Sequence, residues 1–130
     1  MNRLSLTPLL TLSGVLLLCA CSKPPSPDES KTFQGPDNGV VYVVETFYGS
    51  GAPSADYTRV LARAASSAGN EGQIVLSGEN LTLQSIKWVN STNVEICLGT
   101  GITDRYANEV FVKVKDKTLE IRNHLLEDCH

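Results

Sequence analysis

Glu109-Val110-Phe111-Val112-Lys113-Val114-Lys115-Asp116-Lys117-Thr118-Leu119-Glu120-Ile121-Arg122 decides the fold class. Val110, Val112 and Val114 recur at every second position, with Glu109, Lys113 and Lys115 on the opposite parity. A period of two belongs to a strand with one buried and one solvated face. Asp116-Lys117 supplies the turn, and Thr118 to Arg122 returns as a second strand.

The same logic extends upstream. Leu81-Thr82-Leu83 opens an extended run that Ser85-Ile86-Lys87-Trp88-Val89 continues. Asn90-Ser91-Thr92-Asn93 is a turn cluster, and Val94, Ile96 and Leu98 alternate after it, so the two runs form a hairpin. Gly99-Thr100-Gly101 then breaks the sheet. Val40 to Tyr48 is β-branched and aromatic on nearly both faces, the composition of a buried strand, and Gly49-Ser50-Gly51-Ala52-Pro53 ends it. Tyr57 to Ala68 fits two periods. Tyr57, Val60, Leu61, Ala64, Ala65 and Ala68 make a helical face behind Asp56 as cap, which predicts a short helix over 57–67. The competing reading is a strand that turns at 69–72 to pair with Gln73-Ile74-Val75-Leu76. The expectation is a mainly β domain: a small antiparallel sheet, a meander of about five to six strands, with one short helix.

Residues 39–130 are enough for a single small β-rich domain, of a size whose core is marginal and is often stapled by disulfides. Residues 21–38 hold Pro24, Pro25, Pro27 and Pro36 among Ser, Asp, Lys and Gly, with Phe33 as the one large apolar side chain. Such a stretch buries too little to offset its ordering entropy and reads as a disordered tether. Before it, Arg3 precedes an apolar run that is densest at Gly14-Val15-Leu16-Leu17-Leu18, and no acid occurs before Asp28. A basic end and a short apolar stretch are the layout of a secretory signal, here residues 1–20.

Leu18-Cys19-Ala20-Cys21 resembles the lipobox of bacterial lipoproteins. The resemblance implies cleavage before Cys21, diacylglycerol and palmitate-type acylation on that residue, and a membrane anchor. Ser22, where an Asp would favour inner-membrane retention, implies the outer membrane with the domain facing the periplasm. The rest of the chain is similar to small Gram-negative envelope lipoproteins without an assigned activity. That similarity rests on Tyr48-Gly49-Ser50-Gly51, Ser54-Ala55-Asp56-Tyr57, Leu76-Ser77-Gly78-Glu79-Asn80, Gly101-Ile102-Thr103-Asp104 and Asn123-His124-Leu125. In an oxidising compartment the two remaining cysteines, Cys97 and Cys129, are expected to form a disulfide. Two free thiols, or Cys129 paired with another protein, are the alternatives.

Other chemistry is sparse. The formal charge of −3 becomes −4 when Arg3 leaves with the signal, and scattered basic residues give no nucleic-acid footprint. His124, Cys129 and His130 follow no metal-ligand spacing, so no metal and no cofactor is expected. No Gly-x-Ser-x-Gly elbow occurs, Ser50 between Gly49 and Gly51 is turn composition, and Asp104 with Glu109 reads as a solvated rim. Tyr48 and Tyr57 flank one glycine-rich loop, while Asp104 and Tyr106 lie in another, and these four are the candidate interaction residues. The sequence points to a non-enzymatic protein that binds another envelope protein in an accessory or immunity-type role. The alternative is a small-ligand module or minor enzyme built on the loops near Asp104 and His124.

Overall fold

The computed structural model of the protein describes residues 26–49, 55–67, 72–127 and Cys129. It is mainly β, and no helix occurs among the described residues. The strands are β1 Glu29–Gln34, β2 Val40–Phe47, β3 Tyr57–Ala64, β4 Gln73–Glu79, β5 Leu83–Asn90, β6 Asn93–Leu98, β7 Ile102–Tyr106, β8 Glu109–Val114 and β9 Lys117–Leu126. They form two sheets. The first has the order β1-β2-β3-β4-β7 and is antiparallel throughout. The second has the order β5-β6-β9-β8, in which β6 and β9 run parallel.

The expected antiparallel meander is present as β1-β2-β3-β4, and a second sheet turns the architecture into two layers. The chain crosses from the first sheet to the second after β4, returns for β7, and crosses again before β8. Each sheet contributes one face to a single core. Val40, Tyr42, Val60 and Ala62 come from the first sheet, and Ile86, Val94, Ile96, Val110, Val112 and Ile121 from the second. The Tyr42 and Trp88 rings meet edge to face across the layers, 5.3 Å apart at an interplanar angle of 73°. Glycine is required where β4 and β7 close up: a Cβ on Gly78 would strike the carbonyl of Ile102.

The helix expected over 57–67 is a strand, β3. Thr58, Val60, Ala62 and Ala64 are buried on its core side, while Arg59, Leu61 and Arg63 lie on the other face. The apolar set fits both periods because Val60 and Ala64, four residues apart, share a face in either one. Position decides, since β3 is flanked by β2 and β4 and both its backbone edges are paired. A bulge against β4 at Val60/Leu61 accommodates Val75, whose carbonyl accepts from Ala107 at 2.8 Å.

The disordered tether expected over 21–38 is corrected at 29–34, while residues 21–25 of it lie outside the described residues. Residues 29–34 form β1, paired along its whole length with β2. Only Phe33 of β1 packs against the core, so its burial signal is faint. β2 supplies the reason for the strand: Val41, Val43, Glu45 and Phe47 are buried as well as Val40 and Tyr42, and so apolar a strand needs a partner on both sides. Gly35 and Asn38 shape the connection, Gly35 N–H donating to Val40 O at 3.1 Å and Val40 N–H to Asn38 Oδ1 at 3.0 Å.

Candidate interaction site

The two sheets are closed along one side and open along the other. On the closed side, Gln73 of β4 reaches the outer edge of β8. Its Nε2 donates to Phe111 O at 2.6 Å and its Oε1 accepts from Phe111 N–H at 3.1 Å. The side-chain amide thus stands in for a neighbouring strand.

On the open side, β1 and β5 are the edge strands of their sheets, and a cleft of about 730 Å³ lies between them. Phe33, Val44, Leu81, Leu83 and Ile86 form its apolar floor. Thr46, Thr58, Ser85 and Gln84 supply hydroxyl and amide groups, and Glu29 and Lys31 stand at its mouth. Lys31 Nζ lies 5.0 Å from the Phe33 ring centroid, a cation over an aromatic face. A cleft with an apolar floor and a few polar groups is the usual form of a recognition site. Sequence reading missed it because its walls come from β1, β2, β3 and β5, which are remote in the chain.

The core carries a polar hub. Tyr42 O–H donates to Asn123 Oδ1 inside the core. Asn123 Nδ2 donates to Ala107 O at 2.9 Å, its backbone N–H to Asn108 O at 2.8 Å, and its carbonyl accepts from Tyr106 O–H at 2.7 Å. Burial pushes the Tyr42 phenol far above the ordinary tyrosine range and raises Tyr106 as well. One residue of β9 therefore ties β2 and β7 of the first sheet to the second. A signal was available: Asn123 is the polar member of Leu119, Ile121, Asn123 and Leu125, which alternate toward the core. The reading had ended this strand at Arg122, whereas β9 runs to Leu126.

The expected interaction residues divide into two kinds. Tyr48 and Tyr57 do come together at one end of the first sheet, where Phe47 is opposite Tyr57 and the two rings lie 6.3 Å apart. Tyr57 belongs to a strand, not to a loop. Tyr48 is exposed, its N–H donates to Asp28 Oδ2 at 2.7 Å, and Glu29 beside its hydroxyl holds the phenol above its usual range. Gly49 N–H donates to Asp56 Oδ1 at 3.0 Å, and Asn80 N–H to Asp56 O at 2.7 Å, so this end is an ordered polar rim. Asp104 and Tyr106 lie on β7, correcting their placement in a loop; Asp104 is exposed and Tyr106 points its hydroxyl at Asn123.

Asp104, Tyr106 and His124 do not converge. His124 faces outward from the second sheet, with Nε2 3.0 Å from Asn93 Oδ1. Among the described residues, no three His, Cys, Asp or Glu side chains gather closely enough to hold a metal ion. Cys97 of β6 and Cys129 are joined by a disulfide, with Cα atoms 6.0 Å apart. Parallel pairing makes this bond reachable, because it sets Leu126 opposite Cys97, three residues before Cys129. Cys21 and residues 1–20 lie outside the described residues. No protein-family model matches the chain, and neither characterised proteins nor solved structures give a significant match.

Proposed function

We propose that the protein is a non-enzymatic lipoprotein of the bacterial envelope, anchored through Cys21 and facing the periplasm, that binds another envelope protein in the cleft between β1 and β5. The cleft carries the reading. It has an apolar floor for a side chain of the partner, hydroxyl groups around that floor, and on each side a strand whose outer edge has no partner strand among the described residues. Extended protein segments are recognised in this way, with backbone bonds giving affinity and side-chain pockets giving specificity. The lipobox-like Leu18-Cys19-Ala20-Cys21 supports the anchor, and the Cys97–Cys129 disulfide suits an oxidising compartment.

Two measurements test the proposal. The intact mass of membrane-extracted protein should match a chain that begins at Cys21 and carries acyl groups; an unacylated mass would remove the anchor. A photo-crosslinker at Lys31, at the mouth of the cleft, should capture one reproducible envelope protein in cells. A crosslinker at Lys87, on the outer face of the second sheet, should not. Equal capture from both positions, or none from Lys31, would remove the binding assignment.

A further inference from the structure

β1 brings the fold close to the anchor. Asp28 is the residue where the chain enters the first sheet: its N–H donates to Thr46 O at 2.8 Å, and its carboxylate receives the Tyr48 N–H. On the lipoprotein reading, which this inference rests on, the lipid is carried by Cys21. Seven residue steps then separate the anchor from Asp28, and at the maximum extension of the backbone they span no more than about 25 Å, whatever their conformation. That is less than the thickness of a bilayer's hydrocarbon core, about 30 Å. Covalent geometry alone therefore keeps the end of the first sheet next to Asp28 within about 25 Å of the anchored residue.

That end has a distinctive surface. Phe47, Tyr57, Glu79 and Ile102 stand opposite one another across β2, β3, β4 and β7, so they share one rim with Tyr48. Ile102 is 77% exposed and Tyr48 is 51% exposed, the first being the most exposed large apolar side chain among the described residues. Tyrosine is enriched where membrane meets water, because its ring is apolar and its tip is polar. Among the described residues, acidic side chains stand around this rim at Asp28, Glu29, Asp56 and Glu79. Lys31 is turned over Phe33, and Arg59 is paired with Glu45 at 3.3 Å. Such a rim repels anionic headgroups and complements the ammonium of a zwitterionic one. The opposite end of the molecule carries Lys113, Lys115 and Lys117 around the β8–β9 turn.

We propose that the rim bearing Tyr48 and Ile102 rests on the headgroups of zwitterionic phospholipid, with the Lys115 turn pointing away from the membrane. Lipidated protein, its acylation confirmed by intact mass, is reconstituted in vesicles of phosphatidylethanolamine and phosphatidylcholine that include nitroxide-headgroup lipid. A fluorophore is placed at Ile102→Cys, at Tyr48→Cys or at Lys115→Cys, the first two each leaving the other apolar residue in place. Quenching is expected to be several-fold stronger at the two rim positions than at position 115, and to fall when phosphatidylglycerol replaces part of the lipid. Equal quenching at all three positions, or the strongest at 115, overturns the orientation while the acylated mass leaves the anchor intact. Quenching that rises with phosphatidylglycerol overturns the headgroup assignment. An unacylated mass overturns the anchor and the proposal together.

Discussion

The hydroxyl of Tyr42, on β2 of the first sheet, donates to the side-chain oxygen of Asn123, on β9 of the second, within the core the sheets share. Removing one partner strands the other. Tyr42→Phe leaves Asn123 Oδ1 unpaired and should cost about 1–3 kcal/mol. Asn123→Leu should cost more, since it also strands Ala107 O. The double variant should lose less than the two singles combined, because the apolar pair leaves neither group of this bond orphaned. Urea unfolding followed by Trp88, the sole tryptophan, reads all three.

Burial of Tyr42 also sets an alkaline limit. Its phenol stays protonated in the folded protein well above the pH at which an unfolded tyrosine ionises, near 10. A raised folded-state value contributes stability that is complete below about pH 10 and is lost as pH climbs from there toward the folded value. Stability should therefore fall above pH 10, and the fall should be shallower in Tyr42→Phe. Identical slopes for the two proteins would show that Tyr42 is not the titrating group. Unfolding midpoints between pH 8 and 11.5 measure it.

The Cys97–Cys129 bridge spans 32 residues. In the chain-entropy account its removal should cost roughly 3–4 kcal/mol. Replacing both cysteines with serine, or adding reductant, should lower the urea midpoint by matching amounts. Limited proteolysis should then cut first near residues 123–127, because the bridge holds the end of β9 beside β6.

Glu45 is buried on the outer face of the first sheet, and its only cation among the described contacts is Arg59, which also lies 5.1 Å from the Phe47 ring. Arg59→Met should cost about 2–3 kcal/mol, at or below the range for a fully buried pair, since the Arg59 side chain is 24% exposed. Adding Glu45→Leu should restore much of that loss. Thermal melts of the single and double variants check the order.

Gln73→Ala should free the Phe111 N–H and C=O on the edge of β8. The stability change should be small, about 0.5–1.5 kcal/mol, because water can replace exposed bonds. Self-association should increase, since Phe111 is 50% exposed beside the freed edge. Light scattering at rising concentration should show dimers or larger species in the variant and fewer in the parent.

What the sequence made legible follows from how each strand is covered. β2, β6 and β8 carry strong patterns because one or both faces meet the core, and their residues read correctly as strands. β1 carries almost no pattern, because an edge strand exposed along most of its length is specified by its neighbour and not by its own composition. β3 is ambiguous because its alanines favour a helix, while tertiary pairing on both edges overrides that propensity. The glycine-rich loop that Tyr48 and Tyr57 flank marks their shared end of the first sheet, and redox logic marks the disulfide. The cleft and the Asn123 hub have no such mark, since both arise where distant segments meet and no local period encodes that meeting.

β9 is synthesised after the other eight strands, yet it lies between β6 and β8 and not at an edge. Until Lys117–Leu126 is available, β6 and β8 have no shared partner and Tyr42 lacks its Asn123 acceptor, and Cys97 waits three residues longer for Cys129. The order of synthesis thus separates making the chain from closing its core.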